Sequence, residues 1–207
     1  MLKRIREKIR SAEKLIPEPY RRYMRIAEAK LARMIMRMKP DRKYLEENIL
    51  PCLSSANFSR ILFVGCKPYT CHYGEWFLDT DIDYWTTDID PDAEVWGGTD
   101  GHITCCVQEI DFHVPLHSFD AVLLNGIFGY GINSEKEMDR TIAAIHRILK
   151  PGGTLMIGWN NSLVPDPLYL ENIRALFEHG TKLPLPKRKK FPGSTHCYDF
   201  FLSRETR

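Results

Sequence analysis

The sequence predicts a doubly wound α/β domain behind a basic helical arm, and three observations carry that prediction. From residue 60 onward, short apolar runs alternate with helical segments, the signature of a mostly parallel sheet wrapped by helices. The first run, Ile61-Leu62-Phe63-Val64, closes on Gly65, and the second ends in Asp88, 23 positions later. Ahead of them, residues 1–39 hold 13 Lys and Arg against 4 Glu, whereas the remainder holds 16 against 23 Asp and Glu. A net charge of +2 therefore hides a +9 arm on a −7 body.

The bulk numbers are those of an ordinary globular protein. A chain of 207 residues has room for one sizeable domain with an appendage, and 43% hydrophobic with 27% charged residues is a soluble balance. The expected division is an arm over residues 1–50 and a domain over 51–207. No run reaches the roughly 18 apolar residues of a membrane span. Charge interrupts the N-terminus too often for the apolar region of a signal peptide. Six cysteines form no C-x-x-C pair, which argues against zinc, and several sit in strand-like apolar runs as small hydrophobes. A reducing, cytoplasmic setting is expected.

In chain order, Leu2, Ile5, Ile9, Ala12 and Ile16 keep helical spacing, and Pro17 and Pro19 break it. Tyr20, Tyr23, Met24, Ala27, Leu31, Met34, Ile35 and Met38 continue a second stripe up to Pro40. These stripes are expected to pack on the body or on a partner subunit, a homodimer among the possibilities; the alternative is a helix lying on anionic lipid. Strands are expected at 60–65, 83–87, 102–107, 119–124 and 153–159. A helix over 135–149 starts at a capping box of Ser134 and Glu137, buries Met138, Ile142, Ile145 and Leu149, and stops at Pro151-Gly152-Gly153. A further helix is expected over 168–179 and a last strand over 196–203. The run Pro186 to Lys190 reads as a solvated loop.

Ligands of doubly wound sheets bind beyond the carboxyl ends of the strands. Gly65 ends the first strand where a missing side chain lets backbone approach a ligand. Asp88 ends the second, where a carboxylate is placed to accept hydrogen bonds from a ribose diol.

Two later stretches make this arrangement specific. "SFDAVLLNGIFGY" (118–130) and "IHRILKPGGTLMIGW" (145–159) resemble the fourth and fifth motifs of class I S-adenosylmethionine-dependent methyltransferases. Arg147, Leu149, Lys150, Pro151, Gly152 and Gly153 follow the family's R-x-L-K-P-G-G without a gap. "TTDIDP" (86–91) is similar to the second motif and "VQEIDFHVPLHSFD" (107–120) to the third, so the resemblance spans roughly residues 58–160. It implies a Rossmann-like sheet of seven strands and S-adenosylmethionine as cofactor. By position, Gly65 and Cys66 would lie under the methionine and ribose portion, Asp88 would hold the ribose hydroxyls, and Ile110 or Asp111 would flank the adenine. Asn125 and Gly126 would sit near the sulfonium. Lys67, Pro68 and Tyr69 replace the family's further glycines, so this loop takes another path, with the Tyr69 and Thr70 hydroxyls in reach of the methionine carboxylate. The segment "PDAEVWGGTDG" (91–101) is also too short for the family's second helix.

His72, Tyr130 and His196 are the candidates for a general base acting on a weak oxygen nucleophile. Phe128, Tyr130, Trp159, Asn160 and Asn161 suit a polar acceptor with a stackable face, such as a saccharide or lipid-linked glycan. Nucleic acid is disfavoured by the acidic body. Two other classes stay open: a catalytically silent methyltransferase-like binding module, and a nicotinamide-dependent oxidoreductase, which normally keeps a G-x-G-x-x-G absent here.

Overall fold

A computed structural model describes residues 16–205. The first helix expected in the arm falls almost wholly on residues 1–15, outside the described residues. Helix α1 (Glu18–Met36) follows Pro17, with Pro19 at its first turn, where a missing N–H costs nothing. A second run of helical turns comprises α2 (Pro40–Tyr44), a π-turn (Leu45–Ile49) and α3 (Leu50–Ser54). Leu45, Ile49, Leu50 and Leu53 point from it onto the sheet and are fully buried, so packing runs through residue 50 without a break.

The sheet contains β1 (Arg60–Val64), β2 (Asp83–Asp88), β3 (Gly101–Thr104), β4 (Phe119–Asn125), β5 (Leu149–Asn160), β6 (Phe177–His179), β7 (Arg188–Lys190) and β8 (His196–Ser203). Its order is β3-β2-β1-β4-β5-β8-β6, with β7 added beside β8. Strands β1 to β5 are parallel to one another, and β8 is antiparallel to β5, β6 and β7. Strand order reverses between β1 and β4, which opens a crevice at their carboxyl ends.

Both faces of the sheet are covered, which explains the unbroken apolar runs. Ile61 and Phe63 of β1 with Ala121 and Leu123 of β4 face the π-turn and α3. Leu62 and Val64 with Val122 and Leu124 face the other side, beneath helix α4 (Glu135–Ile148). The expected capping box opens α4: Ser134 Oγ accepts from the Glu137 N–H (3.3 Å), and Glu137 Oε2 accepts from the Ser134 N–H (3.0 Å). Met138, Ile142, Ile145 and Leu149 are buried as expected.

Four expectations need correction. The third strand stops at Thr104, and residues 107–112 form a 3₁₀ turn that caps the sheet edge with Val107 and Ile110. The helix expected over 168–179 is a 3₁₀ turn (Pro167–Tyr169), a short α5 (Glu171–Leu176) and strand β6, because Phe177 is buried against Phe201 and His179 pairs with Asp199 (2.9 Å). The loop expected at 186–190 contains β7, since the fully buried Asp199 requires a cation. Arg188 Nε donates to Asp199 (2.6 Å) while its other two nitrogens grip Asp166 (2.7 Å each). Finally, the stripe of α1 does not pack on the body. Arg33 and Arg37 turn inward, toward Glu46, Glu47 and Glu75, and the stripe faces out.

Candidate cofactor and acceptor cleft

Among the described residues, clefts open at both ends of the central strands. The larger, about 750 Å³, lies at the amino end of β4, among Asp120, Lys150 and Gly153. The smaller, about 390 Å³, opens at the carboxyl ends of β1, β2 and β4. Chemistry selects the smaller, because strand carboxyl ends at a switch point are where such sheets bind ligands. The R-x-L-K-P-G-G run belongs to the opposite end. There Lys150 Nζ donates to Asp120 (2.7 Å) and Arg147 Nε to Asp111 (2.7 Å), so those residues hold the fold together.

Gly65 leaves β1 with φ +90°, a left-handed conformation that suits glycine, and a Cβ there would press on Ile127 at 2.9 Å. The turn aims the Cys66 N–H at Asp88 Oδ2 (2.8 Å), while the Asp90 N–H reaches Oδ1 (2.9 Å) and Lys67 Nζ lies 3.8 Å from Oδ2. Asp88 is thus pinned on the cleft wall, and each oxygen keeps a further lone pair. Where the family has more glycines, the chain enters a 3₁₀ segment (Pro68–Phe77). Thr70 Oγ1 accepts from the Lys67 N–H (3.0 Å) and donates to the Lys67 carbonyl (2.9 Å), so its hydroxyl closes the turn. Tyr69 lines the cleft, with the Arg42 guanidinium 5.4 Å from its ring centre.

At the end of β4, Gly126 donates to the Gly158 carbonyl (2.9 Å), and Gly158 lacks a Cβ where one would overlap Asn125 Oδ1. Asn125 is buried and lines the cleft. The Tyr198 hydroxyl lies close enough to feel its amide, yet gives its proton to the Asp41 carbonyl (3.1 Å). Neither amide atom of Asn125 completes a hydrogen bond.

The structure brings Gly65, Tyr69, Thr70, Asp88, Asn125, Gly126 and Tyr130 to one cleft. It does not bring Ile110 or Asp111 there. Ile110 is fully buried beneath α4, and Asp111 is held by Arg147, because the shorter β3 shifts the wall back to Cys105, Cys106, Val107 and Gln108. Cys66 contributes its N–H, but its thiol is buried away from the cleft and burial pushes it up to about 11. His72 is buried against Glu46 (3.2 Å) and Tyr73, behind the cleft wall. His196 is buried beside the Tyr198 ring, and burial pushes it down to about 4, so it is neutral and a weak base at pH 7. Tyr130 is 65% exposed at the rim, where its hydroxyl accepts from Asn160 Nδ2 (3.1 Å). Phe128 and Trp159 are core residues, the indole N–H being spent on Asp199 (2.7 Å). Arg42 was missed: in a basic arm one arginine looks like any other, and only its buried position beside Tyr69 and Gly126 marks it.

Residues 64–157 match a protein family described as "Methyltransferase domain". No curated protein sequence matches the chain. Among solved structures, the N-methyltransferase NodS of Bradyrhizobium japonicum in complex with S-adenosylhomocysteine is 14% identical with a TM-score of 0.58, over 86% of this chain and 100% of that one. A TehB-like methyltransferase of Corynebacterium glutamicum is 18% identical with a TM-score of 0.56, over 75% and 86%. The 1,6-didemethyltoxoflavin N1-methyltransferase of Burkholderia thailandensis, with that compound and S-adenosylhomocysteine bound, is 16% identical with a TM-score of 0.50, over 89% and 90%.

Proposed function

From the match of residues 64–157 to a methyltransferase-domain family and the class I motifs in the sequence, we propose that the cleft at the ends of β1, β2 and β4 holds S-adenosylmethionine beside a small polar acceptor. The observation that carries this reading is Asp88, fixed by the Cys66 and Asp90 N–H groups with lone pairs left for a ribose diol. Gly65 leaves space for the ligand, and Cys106 to Gln108 would form the wall for its base. Asn125 and Gly126 would face the methyl-bearing sulfur. When bound, the cofactor would supply a methyl group on a positively charged sulfur. The chain's own contribution is to align an acceptor in line with it and to exclude water.

The acceptor enters past the hydroxyl and amide rim of Tyr130, Asn160 and Thr195, where Thr195 Oγ1 donates to Asn160 (3.2 Å). That rim suits a hydroxyl-bearing acceptor, a saccharide or lipid-linked glycan among them, with the exposed Tyr130 ring as its stacking face. Neither buried histidine is poised as the base.

The outward stripe of α1 adds a location to this reading. Tyr20, Tyr23, Met24, Leu31, Met34, Ile35 and Met38 are 52–81% exposed, and Arg22, Lys30, Lys39 and Lys43 are exposed near them. Apolar residues ringed by cations on a +9 segment fit an anionic lipid surface.

Calorimetric titration of S-adenosylhomocysteine into wild type and Asp88→Ala, with NAD as control, tests the cofactor assignment. Loss of charge-assisted hydrogen bonds worth about 1.5–3 kcal/mol each predicts at least a tenfold weaker Kd. Equal affinity in a folded Asp88→Ala protein, or preference for NAD, would sink it.

A further inference from the structure

We infer that Arg42 and Asn125 form a receptor for a carboxylate or similar oxyanion on the inner wall of the cleft; this rests on the cofactor reading of that cleft. The Arg42 side chain is only 10% exposed and meets the Tyr73 hydroxyl, yet its Nε completes no hydrogen bond. Its acidic neighbour Asp41 stands 3.6 Å from Nε, a distance that offsets charge without engaging the guanidinium fork. Nη2 lies 3.5 Å from where a Cβ of Gly126 would stand, which puts it next to Asn125. The Asn125 amide is buried near the Tyr198 hydroxyl, neither of its polar atoms completes a hydrogen bond, and both Arg42 and Asn125 line the same cleft. Buried polar groups are almost always hydrogen-bonded, and a buried cation without full pairing is costly. Two adjacent exceptions facing one cleft describe a ligand site. Guanidinium and amide N–H groups side by side are donors, and the group that takes several donors at once is an oxyanion.

That oxyanion has two sources. One is the amino-acid carboxylate of the cofactor, and the other is a carboxylate or phosphate on the acceptor. S-adenosylhomocysteine carries the first, whereas 5′-methylthioadenosine is the same nucleoside thioether without it. If the cofactor is the source, Arg42→Met lowers affinity for S-adenosylhomocysteine tenfold or more and leaves methylthioadenosine within twofold. If the acceptor is the source, both nucleosides bind the variant as they bind wild type. Benzoate or inorganic phosphate then binds the wild-type protein saturated with S-adenosylhomocysteine and is lost in Arg42→Met.

Asn125→Asp keeps the side-chain shape while placing a carboxylate beside Arg42, and it reproduces the selective loss if Arg42→Met fails to fold. Retention of all four probes by both variants overturns the receptor. If wild type binds neither nucleoside, the cofactor reading fails on its own. Benzoate and phosphate titrated into the cofactor-free protein then decide the receptor, and no binding there overturns it.

Discussion

Helices α1 and α4 carry equally regular apolar stripes and turn them in opposite directions. In α4, Met138, Ile142, Ile145 and Ile148 are at most 1% exposed. In α1, the stripe from Tyr20 to Met38 faces outward, and the face toward the Pro68–Phe77 segment holds the partly covered Arg21, Arg25, Ala29, Ala32, Arg33 and Met36. The ground beneath each helix accounts for the difference. Under α4 lies the apolar face of β1 and β4. Under α1 lie Glu46, at 4% side-chain exposure, and Glu75, so Arg33 and Arg37 bind there and take the helix's other side with them. An amphipathic pattern marks two faces; the partner surface chooses between them.

The largest expected effect comes from truncating the stripes. Ile145→Ala should cost about 2–5 kcal/mol by urea denaturation, the usual range for a core cavity. Leu31→Ala should stay within about 0.5 kcal/mol, as exposed substitutions do. A loss above about 1 kcal/mol at Leu31 would break the contrast by showing that the α1 stripe is packed in solution.

Glu46→Gln should have an intermediate effect, because it removes the carboxylate shared by Arg33, Arg37 and His72. Arg33 and Arg37 are 34% and 44% exposed, so screening limits the loss to about 1 kcal/mol. It should appear as faster hydrogen exchange in α1. Burial alone would raise the Glu46 carboxyl, but His72, Arg33 and Arg37 more than offset it and hold it below the usual carboxylate range. A depressed carboxyl stabilises above its unfolded pKa of about 4.3 and loses that contribution as pH falls through its folded value. Protection of α1 in wild type should therefore fade below about pH 4 and be weak at every pH in Glu46→Gln. Protection that ignores both would assign the docking of α1 to something other than this cluster.

The smallest effect on stability, and the sharpest on location, is expected from the triple change Leu31→Ser, Met34→Ser and Ile35→Ser. Its unfolding midpoint should match wild type. Flotation with phosphatidylserine vesicles, present in wild type and weakened by salt over a Debye length of about 8–10 Å, should disappear. Absence of wild-type flotation, together with a dimer that the triple change dissociates, would give the stripe to a second copy of the chain.

Much of the fold was legible because it is written in local patterns. Short apolar strand runs with two buried faces, the Ser134–Glu137 capping box and the glycine–acid spacing of Gly65 and Asp88 all survive in the structure, since each depends on neighbours in sequence or on one strand pairing. Errors fell where distant residues decide. Phe177 and His179 left their helical pattern because β8 offered Phe201 and Asp199. Asp111 left the cleft because Arg147, 36 residues away, holds it.

By itself the sequence determined the parallel α/β sheet, the strand that ends in Gly65, the acidic residue that ends the next, and the charge split between arm and body. Backbone propensity and hydrophobic periodicity are local quantities, and they suffice for those. Tertiary structure alone decided which face of α1 meets the body, which residues after β3 wall the cleft, and that Arg42 sits buried beside Asn125. Those outcomes depend on burial and charge pairing between residues far apart in the chain, and a buried guanidinium becomes distinct from its exposed neighbours only once the sheet has closed around it.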